Sequence, residues 1–317
     1  MNILKYNNIF EAVENEDIDA VEEILNMFKL QKMNEDDKIY LLLKNSFLFG
    51  DDCFYYIWQD IYSYVNEDMD IDSILYCSKL MKYYKTNSLI WASRKGYTDI
   101  AKMLIEAGAD VNIQDDIGET ALIRAIDEYT DIAKILIKAN ADLNIQNHLG
   151  YTALMCASVY GHTDIAKKLI DAGADLNIQD VYDDTALMMA IDRERTDIVQ
   201  ILIEVGADLN IQEGYGDTAL MKAIHKKNID IVQILIDSGA ELNIQNVYGD
   251  TALMNAIYND YTDIAKILIE NGADLNIQDE DGNSALIKAI QKENTNIAEM
   301  LIENGACMWM EKRNLTR

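Results

Sequence analysis

Side chains able to do covalent or metal chemistry are few in this chain, and their spacing is wrong for it. The three histidines, His148, His162 and His225, share no spacing that places two on one helix face, so they read as isolated surface residues and no metal site is expected. Four cysteines (Cys53, Cys77, Cys156 and Cys307) lie far apart with no C-x-x-C pair, which suggests neither a zinc ribbon nor a disulfide framework. Carboxylates recur at Asp142, Asp175, Asp208, Glu241 and Asp274, but they hold one repeated position and suit turns and solvation better than general acid catalysis. No P-loop, G-x-G-x-x-G or G-x-S-x-G motif occurs, and no nucleophile has a plausible base. The chain is therefore expected to be no enzyme and to need no cofactor.

What must be positioned is a surface rather than a reaction centre, and the bulk composition limits what that surface can meet. The 317 residues are half hydrophobic, enough for one large or two ordinary domains. A formal charge of −28, from 55 acidic and 27 basic residues, repels nucleic acid and anionic membranes and favours a protein partner with a basic surface. The start, MNILKYNNIFEAVENED, has no long apolar core behind a basic end, and the cysteine usage suits a reducing compartment, so a soluble, cytoplasmic protein is expected. Proline is absent, which leaves the turns to Gly, Asn and Asp.

The elements that present the surface come from a repeat. The triplet NIQ begins at Asn112, Asn144, Asn177, Asn210, Asn243 and Asn276, and TAL or SAL begins at Thr120, Thr152, Thr185, Thr218, Thr251 and Ser284. Both series step by 32 and then 33 residues, a period that marks stacked supersecondary units. Within residues 147–179, Leu154, Ala157 and Ser158 share one side of a short helix, and Ala166, Leu169 and Ile170 share one side of a second. Thr152 is placed to cap the first helix and Thr163 or Asp164 the second, while Gly173 falls where a left-handed helix end needs it. One such hairpin has too small a core to fold alone; stacked on its copies, it buries both flanks.

The period of 33, the G-x-T-A-L-x-x-A helix start and the L-I-x-x-G-A-D-L-N helix end resemble ankyrin repeats, from residue 87 to about 307. The resemblance implies an all-α solenoid of helix-turn-helix units with hairpin-like finger loops, and a monomeric, non-catalytic protein-binding scaffold. It also implies asparaginyl hydroxylation as a modification at Asn112, Asn144, Asn177, Asn210, Asn243 and Asn276, beside the plainer role of bonding the turn's backbone. The family's T-P-L-H is written TALI or TALM here, so its Thr-to-His hydrogen bond cannot form, and Met or Ile is expected to offer only apolar contact. The inter-helix turn has Gly at Gly96 and Gly161 but Glu194, Lys227, Asp260 and Glu293 elsewhere, each costing roughly 1 kcal/mol if left-handed. Asp183 replaces a finger glycine, and one residue is missing in IDEYTDIAK.

Residues 1–86 are expected to form a divergent helical cap with two degenerate ankyrin-like units, a reading preferred to an independent aromatic-rich domain because end repeats must present a different outer surface. Residues 308–317 form a carboxy-terminal cap or tail, with Met308 and Trp309 over the last hairpin. The style of the repeats resembles the ankyrin families of giant amoeba-infecting viruses, which would place the protein in the host cytosol. An alternative function is an adaptor recruiting substrates to a ubiquitin ligase through residues 38–86, and a more distant one is an enzyme in the amino-terminal segment.

In the ankyrin arrangement, finger tips and first helices share the concave face. The tips carry Glu119, Tyr151, Asp184, Asp217 and Asp250, with Tyr182, Tyr215 and Tyr248 two residues before the last three of these, and the helices add Tyr160 and Tyr258. Tyrosine buries a rigid ring while keeping a polar end, and carboxylates beside it favour a basic, extended partner. These residues are the candidate protein-binding site.

Overall fold

The computed structural model describes residues 89–106 and 108–307, together with Asp19. The expected amino-terminal cap, with Cys53 and Cys77, and the Met308 and Trp309 cover lie outside the described residues, Asp19 apart. The chain divides into two compact units, residues 1–148 and 149–317, a boundary inside the run of repeats.

In the first unit, helix α1 (Thr98–Glu106) follows helical residues from Leu89, and α2 (Ala121–Ile126) pairs with α3 (Thr130–Lys138). Their inward faces, including Leu104, Ile126, Ile132 and Leu136, are fully buried. The missing residue shortens the α2–α3 connection, which lacks the left-handed step found in the complete hairpins.

The second unit holds five hairpins: α4 (Ala153–Tyr160) with α5 (Thr163–Asp171), α6 (Ala186–Asp192) with α7 (Thr196–Glu204), α8 (Ala219–His225) with α9 (Ile229–Asp237), α10 (Ala252–Tyr258) with α11 (Thr262–Glu270), and α12 (Ala285–Gln291) with α13 (Thr295–Glu303). First helices pack on first helices and second on second along the stack. Within the unit, α6, α8 and α10, each between two other first helices, bury nearly every residue; Leu154, Ala157 and Ser158 in α4 and Leu220 and Met221 in α8 are at most 1% exposed. Each large apolar side chain so buried contributes about 1.5–3 kcal/mol, and the first helices draw it from both neighbours. Ala166 and Leu169 are buried as expected, whereas Ile170 is only half-buried.

Capping differs between the two helix sets. Thr120, Thr152, Thr185, Thr218 and Thr251 each accept from the backbone N–H three residues on, at 3.3–3.4 Å. Ser284 makes no such bond, and its buried Oγ has no partner. The Thr163 or Asp164 cap is corrected: Thr163 is already helical, and the cap position is His162, whose side chain makes no cap bond. Asp164 instead sits in the first turn, where its charge meets the positive helix end. Met155 is also more than an apolar filler, since its thioether accepts from the Thr152 N–H at 3.4 Å and closes a weak capping box.

The inter-helix turns are left-handed at Gly161, Glu194, Lys227, Asp260 and Glu293, with φ between 54° and 81°. Four hairpins therefore carry the expected strain of a non-glycine residue there. Among the described residues there is no strand, only isolated bridges at finger bases such as Gln212 to Thr218, and no helix is long and apolar enough to cross a membrane.

Candidate protein-binding surface

The fingers that begin at Asp115, Asp180, Glu213, Asn246 and Asp279 are each pinned by that side chain, five residues before the helix cap. Asp180 Oδ1 accepts from the Tyr182 and Asp184 N–H groups at 2.9 and 2.8 Å, Glu213 does the same for Tyr215 and Asp217, and Asn246 for Tyr248 and Asp250. Successive fingers are then joined through the main chain. The N–H groups of Val181, Gly214, Val247 and Glu280 donate to the carbonyls of Leu149, Tyr182, Tyr215 and Tyr248 at 2.9–3.3 Å. The tips of the second unit are thereby a hydrogen-bonded rail with one rung per repeat.

The repeated NIQ supplies two further rungs. Asn177, Asn210, Asn243 and Asn276 accept through Oδ1 from the backbone of the next repeat, at Asp208, Glu241, Asp274 and Cys307, over 2.8–2.9 Å; Asn112 does so to Asp142 in the first unit. Gln179, Gln212 and Gln245 donate through Nε2 both to their own finger and to the glutamine carbonyl one repeat on. At Asn112, Asn177, Asn210, Asn243 and Asn276, named as hydroxylation candidates, the side-chain amide thus staples neighbouring repeats. Asn144 is exposed and donates its N–H to Asp142 at 3.0 Å.

On this rail the tyrosines point outward: Tyr182, Tyr215 and Tyr248 are 64%, 66% and 60% exposed. Val181, Val247 and Leu149 extend the exposed apolar row. Tyr160 and Tyr258 are also exposed, the latter with Lys292 Nζ 4.1 Å from its ring centroid, so one face of that ring is engaged within the chain. Tyr151 is half-buried, and burial, helped by Asp180 and Asp184, pushes its phenol up.

The acidic candidates are placed differently, half-buried or buried and already paired. Lys222 Nζ lies 2.8 Å from Asp184 of the preceding repeat and 3.1 Å from Asp192; Lys288 Nζ lies 2.6 Å from Asp250 of the preceding repeat and 2.8 Å from Asp279. Asp217 meets His225 Nδ1 at 3.4 Å and accepts from Asn246 Nδ2 at 2.9 Å. In the first unit, Glu119 meets Arg124 at 2.8 Å. Burial pushes the Asp184 carboxyl up despite Lys222, while the surrounding aspartates more than offset burial at Lys222 and Lys288 and hold both ammoniums above their ordinary range. These carboxylates do not form a free acidic row. The pairing lysines stand four residues after the cap, and their reach back by one repeat shows only when the columns are read across neighbouring repeats.

The remaining chemistry is sparse. Among the described residues no group of three His, Cys, Asp or Glu is placed to hold a metal ion; Cys156 is a buried thiol and Cys307 an exposed one.

Paired helices, left-handed turns and laddered fingers define a class, the stacked helix-turn-helix repeat proteins. A family model described as ankyrin repeats (3 copies) matches residues 89–180, 177–246 and 239–312, and the chain belongs to the ankyrin repeat family. Among solved structures, it is similar to the ankyrin repeat domain of Bcl-3, described as a unique member of the IkappaB protein family, with TM-score 0.62 and 24% identity over 68% of this chain and 97% of that one. At that identity the likeness establishes the fold. A search of curated proteins finds no match.

Proposed function

We propose that the chain is a non-catalytic protein-binding scaffold whose partner lies along the finger tips and first helices and presents a basic surface. What supports the reading is the register of Tyr182, Tyr215 and Tyr248, three rings at least 60% exposed on a backbone fixed by inter-repeat hydrogen bonds. A rigid aromatic row loses little conformational entropy on binding, and tyrosine dominates many interface hot spots. The attraction for a basic partner comes from the overall charge of −28 and from exposed tip carboxylates such as Asp183, Glu280 and Asp281, since Asp184, Asp217 and Asp250 are internally paired.

A photo-crosslinking residue in place of Tyr215, compared with the same residue in place of exposed Glu270 on a second helix, tests this in the native cell. The expected result is a discrete protein adduct at 215 and none at 270. Equal labelling at both positions would remove the tip face as the binding surface.

A further inference from the structure

The row of tips changes character along its length. Leu149, Tyr182, Tyr215 and Tyr248 occupy one position in four consecutive fingers of the second unit, all more than half exposed, and the next finger carries Asp281 there with Glu280 beside it. The rings of Tyr182, Tyr215 and Tyr248 have no hydrogen bond, ring or cation partner among the described residues, and neither carboxylate of Glu280 or Asp281 has an ion pair. The exposed apolar run therefore ends against two carboxylates with no ion pair among the described residues, whereas beneath the run Asp184 and Asp250 meet lysines and Asp217 meets His225 and Asn246.

We infer that the ligand of this surface, taken as proposed above, is an extended peptide segment with apolar anchors three residues apart and an arginine or lysine next beyond the last anchor, seated at Glu280 and Asp281. Packed helices stand roughly 8–10 Å apart, and an extended chain in the polyproline II form rises about 3.1 Å per residue with three residues per turn, so each third residue returns to the same side and meets the next tip. A ligand helix would need about seven residues per step, but a rail one or two side chains wide does not enclose a cylinder of about 10 Å. The tip backbone is also fixed in advance, its four carbonyl rungs being already made, so the tyrosines do not have to be ordered by the ligand. A cation at the acidic finger fixes which end of the peptide lies where, because at the opposite end it would face Leu149.

The test is selection of a random dodecapeptide phage library on the purified full-length chain, followed by fluorescence anisotropy of enriched peptides against three variants. The expected motif has aromatic or aliphatic residues at every third position with a basic residue just beyond one end. Its affinity falls at least tenfold on Y182A/Y215A/Y248A, falls about tenfold on E280K/D281K, and is unchanged on E270K, which reverses an exposed charge on a second helix. Enriched peptides that need the tyrosines but ignore E280K/D281K, that lose as much affinity on E270K, or that carry anchors seven apart would overturn the inference while leaving the tip face as a binding surface. Indifference to Y182A/Y215A/Y248A would overturn both, and failure to enrich any family of sequences would overturn the extended-peptide reading.

Discussion

Lys222 stands on α8 and its ammonium lies 2.8 Å from the Asp184 carboxylate of the preceding finger, so one ion pair ties two repeats together beneath the exposed tyrosines. Lys288 repeats the arrangement with Asp250 at 2.6 Å. Between them, the matching position holds Asn255, which is 6% exposed and whose Nδ2 has no partner, and Asp217 is left to His225 and Asn246. The column alternates filled, unfilled and filled. Asn255→Lys should therefore place an ammonium at Asp217 and raise the thermal midpoint. Lys222→Met should lower stability by about 2 kcal/mol, because a half-buried carboxylate loses its cation. Thermal unfolding of the two variants checks this; a destabilised Asn255→Lys would mean that the pocket cannot hold the longer chain.

Threonine caps should matter where they bond and not where they do not. Thr218→Ala is expected to cost about 1 kcal/mol, since its hydroxyl accepts from the Met221 N–H, whereas Ser284→Ala should be close to neutral because Ser284 makes no cap bond. Urea denaturation of both variants separates the two cases.

Finger glycines are held by space as well as by φ. A Cβ on Gly249 would stand 2.7 Å from the Glu280 nitrogen and 2.9 Å from the Asp279 Cα, both backbone atoms that cannot step aside. Gly249→Ala should thus cost more than the roughly 1 kcal/mol of a left-handed alanine alone, while Asp183→Gly, at φ 65°, should stabilise by up to about that amount. Equal effects of opposite sign would show that strain alone, without the close approach, sets the cost.

Acid should loosen the stack through Asp279 in the second unit and Asp115 in the first. Burial works against the charge of both, but it is outweighed by Lys288 and Asn283 at Asp279 and by Arg124 and backbone N–H groups at Asp115, so both carboxyls sit below the ordinary aspartate range. A depressed folded pKa gives stability that is present above the unfolded value of about 4 and is lost as pH falls through the folded one. Asp184, raised by burial, acts in the opposite direction. Thermal midpoints measured from pH 6 downward should fall below about pH 4, and Asp279→Asn should flatten that decline.

The hairpins and the buried sides of their helices were readable in the sequence because period and apolar spacing repeat together. Tyr182, Tyr215 and Tyr248 were readable as tip residues for the same reason. Their neighbours Asp184, Asp217 and Asp250 were misjudged as free acid, since pairing depends on which side chain of the next repeat reaches back, and Lys222, Asn255 and Lys288 differ there. The second-helix caps were misplaced by one residue because the left-handed step at Gly161 or Glu194 puts His162 or Arg195, rather than the following threonine, at the cap. The Asn and Gln of NIQ were visible as a pattern, but their role as staples needed the distance between repeats.

Partner affinity and thermal midpoint should be measured together for the Y182A/Y215A/Y248A protein, using the adduct partner identified at position 215. The prediction is a loss of affinity of at least tenfold with a midpoint within about 2 °C of the parent, since three exposed rings add little to the stack. Unchanged affinity with an unchanged midpoint would contradict it.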